Sequence, residues 1–288
     1  MQTKSARLEF LKIYEDLYLE YKNIDISQIV IKEKQAFWIE GDPKISKALF
    51  LAHGYMGSPS EMMFMAKPFI ETGWSIIGFL IPGHGSSSEV ANAFKNSRWQ
   101  NEMARQLQIV TDTFQEVRAI GFSTGGLLLH DYLINHSTPK TLKSLHLISP
   151  YFVQKLPTID WAVKLIFNNM SVDTAYALTH FPDLKVMTID RNFYNQSLPI
   201  MAAKEIKELG LEVFNKTFKG PKIQLPTQLF LSKGDWTVKT NASKKVIARD
   251  IETHELIWFK GHEPHHLMAP SVSKVAKEIQ TSIFHFVK

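Results

Sequence analysis

Short runs of residues that are apolar throughout alternate along the chain with stretches of helical periodicity, and this alternation restricts the fold more than any other feature. Strands that are apolar on both faces are typical of a parallel sheet covered by helices on each side. The first unit is a strand at Ala48–Ala52, a helix from about Ser60 to Thr72 and a strand at Ser75–Leu80. Such a crossover places its two strands in parallel, so the sequence predicts an α/β fold with a doubly wound, mostly parallel sheet.

The same alternation continues through most of the chain. Further strands are predicted at Ile29–Ile31, Ala36–Ile39, Val117–Gly121, Ser144–Ile148, Gln228–Leu231 and Leu256–Phe259. Further helices are predicted at Leu8–Tyr21, Trp99–Phe114, Gly125–Asn135, Asn241–Arg249 and, in the last segment, Val272–Phe286. The alternation stops between Tyr151 and about Lys222. We therefore predict one α/β core made of residues 1–150 and 223–288, with residues 151–222 inserted as a cap.

Composition excludes several classes of protein. The chain has no cysteine, which rules out disulfide frameworks, thiolate metal sites and a cysteine nucleophile. A formal charge of +5 over 288 residues is dilute, so no nucleic-acid partner is expected. The N-terminal segment mixes charges among its apolar positions, unlike a secretory signal, and the longest apolar stretch, Trp74–Leu80, is too short to span a bilayer. We expect a soluble, cytoplasmic protein; export without a cleaved signal stays open.

The pentapeptide Gly121-Phe122-Ser123-Thr124-Gly125 lies between a predicted strand and a predicted helix. In that context G-x-S-x-G forms a sharp turn that lifts the serine hydroxyl above the sheet, and the glycines remove Cβ atoms that would clash. The other interpretation is an ordinary glycine-rich connection between strand and helix. The context favours Ser123 as a nucleophile.

A second loop follows the strand that ends at Ala52, with the sequence His53-Gly54-Tyr55-Met56-Gly57-Ser58-Pro59. Acyl transfer needs two backbone N–H donors for the developing oxyanion, one after the nucleophile and one from this earlier loop. We predict that Thr124 and Tyr55 provide them. His53, and His84 in the turn Pro82–Gly85, are interpreted as structural residues that shape their loops.

The acid and the base are expected downstream. Asp235 follows the predicted strand Gln228–Leu231, where a carboxylate can orient an imidazole, although a Gly-Asp step is also turn chemistry. The next strand leads to a cluster that contains His262, His265 and His266. A base directly after the strand would be His262, so the choice between His262 and His265 stays open here.

The cluster also matches the letters H-E-x-x-H of a zinc protease. That motif requires both histidines on one face of a helix, and Pro264 inside the motif opposes a helix. No metal is predicted.

The order Ser123, Asp235 and histidine, together with the loops HGYMGSP and PGHG, resembles the α/β-hydrolase superfamily. LFLAHGYMGSPSEM followed by IPGHGSSSE is similar to the bacterial carboxylesterase and monoacylglycerol lipase group, often filed with serine aminopeptidase-like hydrolases. The chain departs from this group in having GFSTGG and a crowded histidine cluster. In relatives with a Pro-His step, about twenty residues separate the base from the aromatic end of the last helix. The distance from His265 to Phe286 is 21 residues and that from His262 is 24, so the resemblance favours His265, with His262 as the alternative base.

The resemblance implies a serine esterase that uses a Ser-His-Asp triad, an acyl-enzyme and no cofactor. We predict a medium-chain acyl ester or a monoacylglycerol as substrate, with at most peripheral membrane contact through the cap. Apolar side chains of the insertion could hold the acyl chain or equally form the core of the cap itself; they are Phe152, Leu156, Trp161, Leu165, Ile166, Phe167, Met170, Phe181, Met187 and Phe193. The alternatives are a thioesterase or a catalytically silent binding protein on this fold.

Overall fold

A computed structural model describes residues 2–22, 30–155, 170–179, 182–216 and 220–286. The described strands are β1 Phe37–Ile39, β2 Lys47–Ala52, β3 Ser75–Phe79, β4 Glu116–Phe122, β5 Leu142–Ile148, β6 Thr227–Ser232 and β7 His254–Phe259. The described α-helices are α1 Gln2–Lys22, α2 Met63–Glu71, α3 Ser88–Ala93, α4 Asn96–Thr113, α5 Thr124–Asn135, α6 Val172–Thr179, α7 Pro182–Ile189, α8 Ile200–Asn215, α9 Thr240–Asp250 and α10 Ala276–Phe284.

The described strands form one sheet in the order β1-β3-β2-β4-β5-β6-β7. Only β1 pairs antiparallel, with β3, and every other pairing is parallel. The sheet confirms the predicted fold class. Because the parallel strands point the same way, the loops after β2, β4, β6 and β7 meet at one edge.

A separate apolar core covers each face of the sheet. Alternate residues of β2 divide between them: Ala48 and Phe50 pack into one cluster, Leu49 and Leu51 into the other. Helices α1, α4, α5 and α9 contribute to the first cluster, and α2 and α10 to the second. This two-sided burial is the reason that the strands are apolar throughout rather than alternating.

One predicted strand is wrong in its described part, and one predicted helix has different bounds. Ile29 lies outside the described residues, and the next two residues are not a strand: Val30 is buried in the core and Ile31 is half-exposed before a 3₁₀ turn at Lys32–Lys34. The last helix begins at Ala276 and not at Val272. The Glu263 carboxylate accepts a hydrogen bond from the Lys274 N–H at 2.9 Å, which holds the preceding residues in turns.

The described part of the insertion contains helices α6, α7 and α8. Its division from the core at residues 151 and 222 stays a prediction. None of the helices within the described ranges has both the length and the apolar character that crossing a membrane requires.

Candidate active site

The turn between β4 and α5 is built too tightly for side chains at its glycines. A Cβ at Gly125 would lie 2.1 Å from the Ala52 carbonyl oxygen, and one at Gly121 would lie 2.7 Å from the Gly126 Cα. Ser123, between β4 and α5, has φ 49° and ψ −111°. Its N–H donates to the Ile148 carbonyl at 3.0 Å, and its own carbonyl accepts from the Leu127 and Tyr151 N–H groups, both at 3.1 Å. These bonds hold Ser123 in a strained conformation at the end of the central strand.

Ser123, His265 and Asp235 form a continuous hydrogen-bonded chain. The Ser123 Oγ lies 2.9 Å from His265 Nε2, and His265 Nδ1 lies 2.8 Å from Asp235 Oδ2. Because a carboxylate only accepts, Nδ1 carries the proton and Nε2 is left to accept from the serine hydroxyl. The three residues are 4%, 3% and 0% exposed, so the chain is shielded from bulk water. This arrangement can remove a proton from Ser123 when its oxygen attacks a substrate.

The Asp235 carboxylate is held on its other side by the backbone. Its Oδ1 accepts from the Thr237 N–H at 2.8 Å and from the Val238 N–H at 3.0 Å. The Ser232 hydroxyl donates to the Glu263 carbonyl at 2.9 Å and accepts from the Gly234 N–H at 3.0 Å. The loop that contains Asp235 and the loop that contains His265 are therefore fixed to each other.

The other histidines of the cluster lie outside this chain of hydrogen bonds. His262 is exposed, and its backbone lies against Gly234, where an added Cβ would meet the His262 carbonyl carbon at 2.5 Å. The His266 ring is buried and packs against the Phe122 ring at 5.1 Å between centroids. Residues 261–266 contain no helix, so the letters H-E-x-x-H lack the geometry of a zinc protease.

The loop after β2 approaches Ser123 closely. A Cβ at Gly54 would lie 3.4 Å from the Ser123 Cβ and 2.7 Å from the Phe122 ring. Tyr55 follows in this loop, and its hydroxyl donates to the Pro199 carbonyl at 2.8 Å. Thr124 is the first residue of α5, where a helix leaves its N–H groups without intrahelical acceptors. Both predicted oxyanion donors thus belong to backbone that borders Ser123.

His53 fixes the loop that contains Tyr55. Its Nδ1 lies 2.8 Å from the Gly54 carbonyl, to which it must donate, and its Nε2 accepts from the Ile81 N–H at 3.0 Å. Burial, followed by the neighbouring His84, holds the pKa of His53 well below its usual range. The ring is therefore neutral and structural, in keeping with the interpretation from the sequence.

Glu61 is a buried carboxyl beside this loop that reasoning from the sequence missed. Its Oε1 accepts from the Gly54 N–H at 2.7 Å. Burial raises the pKa of Glu61 to about 7, and the Gly54 N–H, Tyr194 and His265 oppose the shift. The sequence offered one signal for this contact, namely an acidic residue two positions after the HGYMGSP loop.

The sequence can now be compared with known proteins. Residues 43–268 match the family Hydrolase_4, described as serine aminopeptidase, S33. The chain belongs to this family. A comparison with curated proteins finds no match.

Solved structures with the same fold include proteins of different activity. A structure of the metagenome-derived lipolytic enzymes LipS and LipT has a TM-score of 0.65 at 18% identity, covering 88% of this chain and 97% of that chain. A soluble variant of monoglyceride lipase from Saccharomyces cerevisiae has a TM-score of 0.66 at 12% identity, covering 86% and 88%. A bromoperoxidase from Bacillus anthracis has a TM-score of 0.64 at 17% identity, covering 86% of this chain and 93% of that chain. These likenesses establish the fold and leave the reaction to the site.

Proposed function

We propose that this chain is a serine hydrolase that cleaves a carboxylic ester. The observation that supports the proposal is the hydrogen-bonded chain from the Ser123 hydroxyl through His265 to Asp235. A structural serine would need no imidazole at 2.9 Å that is itself oriented by a buried carboxylate. The assignment of Asp235 as acid and His265 as base, in preference to His262, is part of the proposal.

The reaction proceeds in two steps. His265 Nε2 takes the proton of the Ser123 hydroxyl as Oγ attacks the carbonyl carbon, and the N–H groups of Tyr55 and Thr124 bind the oxyanion. The intermediate then collapses, His265 gives its proton to the departing alkoxide, and an alcohol leaves. Water repeats the sequence on the acyl-enzyme, which releases the carboxylic acid and restores Ser123. The scheme needs no cofactor.

Single substitutions test the assignment. Ser123→Ala and His265→Ala should each lower kcat on a nitrophenyl ester by at least about 10⁴-fold, because members of a triad act as a unit. His262→Ala is the matched control, since this exposed histidine is nearby but outside the hydrogen-bonded chain, and it should stay within about twofold of the unsubstituted protein. A fluorophosphonate should add mass to the peptide that holds Ser123. Full turnover by folded Ser123→Ala would contradict the proposal.

The substrate we propose is a medium-chain acyl ester or a monoacylglycerol. Apolar side chains of the insertion pack on the loop that carries Tyr55; the cluster comprises Met56, Val172, Val186, Met187, Tyr194 and Ala269, with Phe193 against it. These six side chains are at most 6% exposed, so they form a small core that supports the loop of Tyr55. The acyl-chain class of substrate is proposed from the family resemblance, and this core borders the loop where the chain would enter. Phe152 belongs instead to the main core, where it is 0% exposed. Leu156, Trp161, Leu165, Ile166, Phe167 and Phe181 lie outside the described residues.

Esters of graded length test the substrate class. We expect kcat/KM on nitrophenyl esters from acetate to palmitate to peak at intermediate length, because each buried methylene adds about 0.8 kcal/mol until the apolar surface ends. Equal rates at all lengths would contradict an acyl-binding surface. Matched thioesters in the same assay would identify a thioesterase by a higher kcat/KM than their oxygen analogues.

A further inference from the structure

The Glu61 carboxyl is enclosed by the loop that carries the oxyanion donor. It accepts the Gly54 N–H at 2.7 Å, and it packs over Gly57 so closely that a Cβ there would lie 2.4 Å from Oε1 and 2.6 Å from Cδ. The residue is 7% exposed. Glu61 itself is fixed in a 3₁₀ turn by its N–H, which donates to the Ser58 carbonyl at 3.1 Å. The two glycines of the loop thus lie around one carboxylate.

The direction of the Tyr55 N–H depends on the Gly54 peptide. A peptide unit is planar, so the Gly54 C=O and the Tyr55 N–H point in opposite directions along one rigid plane. The Gly54 C=O accepts from His53 Nδ1 at 2.8 Å and from the Gly57 N–H at 3.1 Å. The preceding peptide is held by Glu61 at the Gly54 N–H. Because the peptides before and after Gly54 are both held by hydrogen bonds, the Tyr55 N–H points in one fixed direction.

We propose that Glu61 is the positioning residue for the oxyanion donor of Tyr55, and that it acts as an ionised acceptor of the Gly54 N–H. A hydrogen bond to a carboxylate is roughly twice as strong as one to a neutral acceptor, so the ionised form holds the loop best. This role rests on the proposed hydrolase function, because a donor needs aiming only where an oxyanion forms.

The position of Glu61 is costly for folding, which argues for a functional reason. Burial raises its pKa from 4.5 to about 7, so the folded chain favours the protonated acid. The stability that this group adds is complete below pH 4.5 and is lost as the pH rises through about 7. Above that pH the folded protein contains a buried carboxylate, whose desolvation lowers the free energy of unfolding. A neutral glutamine at position 61 would not have this penalty.

Several titratable and charged groups surround Glu61. A positive charge on His265, when that ring is protonated, favours the carboxylate of Glu61, and so does the hydrogen bond of Tyr194 from the insertion. The Tyr194 ring also packs against the His266 ring at 5.8 Å between centroids, and the Lys34 ammonium donates to the Tyr194 carbonyl at 2.7 Å. A carboxylate at 61 therefore also favours the imidazolium that forms at His265 during attack.

Two substitutions separate positioning from packing. In Glu61→Ala we expect kcat to fall about 10- to 100-fold with KM within about twofold, less than the 10²- to 10³-fold of a deleted oxyanion donor. Glu61→Gln keeps an oxygen for the Gly54 N–H, so kcat should recover to within about fivefold of the unsubstituted protein. Urea unfolding at pH 8 should show Glu61→Gln at least as stable as the original.

The pH profile supplies the decisive measurement. In the unsubstituted protein, kcat/KM should decrease in two steps as the pH falls, because both His265 and Glu61 become protonated. In Glu61→Gln only the protonation of His265 remains, so kcat/KM should decrease in one step. Glu102→Gln is the matched control: it is another buried glutamate, located on helix α4 and paired with Arg98 Nε at 3.2 Å, and it should leave the profile unchanged. If Glu61→Ala keeps the original kcat, or Glu61→Gln keeps the two-step decrease, the positioning role is wrong. Ser123→Ala in the same assay reports separately on the proposed function.

Discussion

At the scale of single residues, the backbone conformation of Ser123 is energetically unfavourable. A serine with φ 49° and ψ −111° lies in a region that costs about 1–3 kcal/mol. The cost is tolerated because neighbouring backbone approaches the turn from several sides. Gly125 permits this approach, since the Ala52 carbonyl lies where its Cβ would be.

Gly125→Ala should therefore disrupt the turn. The added Cβ would lie 2.1 Å from the Ala52 oxygen, which is backbone of a central strand and cannot move aside cheaply. We expect the free energy of unfolding, measured in urea, to fall by at least about 2 kcal/mol. Gly261→Ala is the control, because its nearest neighbour would be 3.9 Å away. Unfolding of Gly125→Ala at the same urea concentration as the original would contradict this account of the turn.

At the scale of elements, helix α1 is bound to the sheet by two tyrosine hydroxyls as well as by packing. The Tyr14 hydroxyl donates to Gln106 Oε1 at 2.7 Å and accepts from the Leu80 N–H at 2.8 Å. The Tyr18 hydroxyl accepts from the Gly83 N–H at 3.0 Å. Both tyrosines lie in the core. The helix thus satisfies buried backbone donors directly after β3, where the PGHG turn begins.

Tyr14→Phe should leave the Leu80 N–H buried without an acceptor. An unsatisfied buried donor costs about 1–3 kcal/mol, and thermal and urea unfolding should both show a loss of that size. Tyr132→Phe in α5 is the matched control, because the Tyr132 hydroxyl has no hydrogen bond to the described residues. Equal stability of the two variants would show that the Tyr14 hydroxyl adds nothing to the packing of its ring.

At the scale of the whole molecule, buried histidines make folding sensitive to acid. Burial lowers the pKa of His84 to about 4 and that of His146 to about 3, and His53 is shifted in the same direction. Because an unfolded histidine binds its proton near pH 6.5, the stability these groups add is complete above that pH and is lost as the pH falls. The pKa of Glu61 is raised instead, so the stability that Glu61 adds is lost as the pH rises.

His146→Asn should reduce this acid sensitivity. The His146 Nδ1 lies 2.9 Å from Gln228 Oε1, and an asparagine amide can reach the same oxygen. Between pH 7 and 4.5 the original protein should lose about 2–3 kcal/mol of unfolding free energy more than the variant, given a folded pKa of about 3. The measurement is urea unfolding at both pH values. His262→Asn, at an exposed position, should keep the original slope, and parallel slopes for His146→Asn would contradict the prediction.

The strands and most helices could be predicted because their signal is local. Apolar runs bounded by turn residues located β2 to β7 within about two residues, and the glycines around Ser123 marked the tight turn. Val30 and Ile31 have the same β-branched character but pair with no described strand, since Val30 fills the core instead. Local preference yields there to tertiary packing.

By itself, the sequence determined the layered α/β sheet and the tight turn at Ser123, because periodicity and steric crowding act between near neighbours. The length of the tail favoured His265 among the clustered histidines, but only the folded chain shows which ring contacts Ser123, because the two residues are 142 positions apart. The position of Glu61 beside Gly54 was likewise evident only in the folded chain. Its burial and its bond to Gly54 are properties of packed neighbours, and packing between distant segments is set by the whole fold.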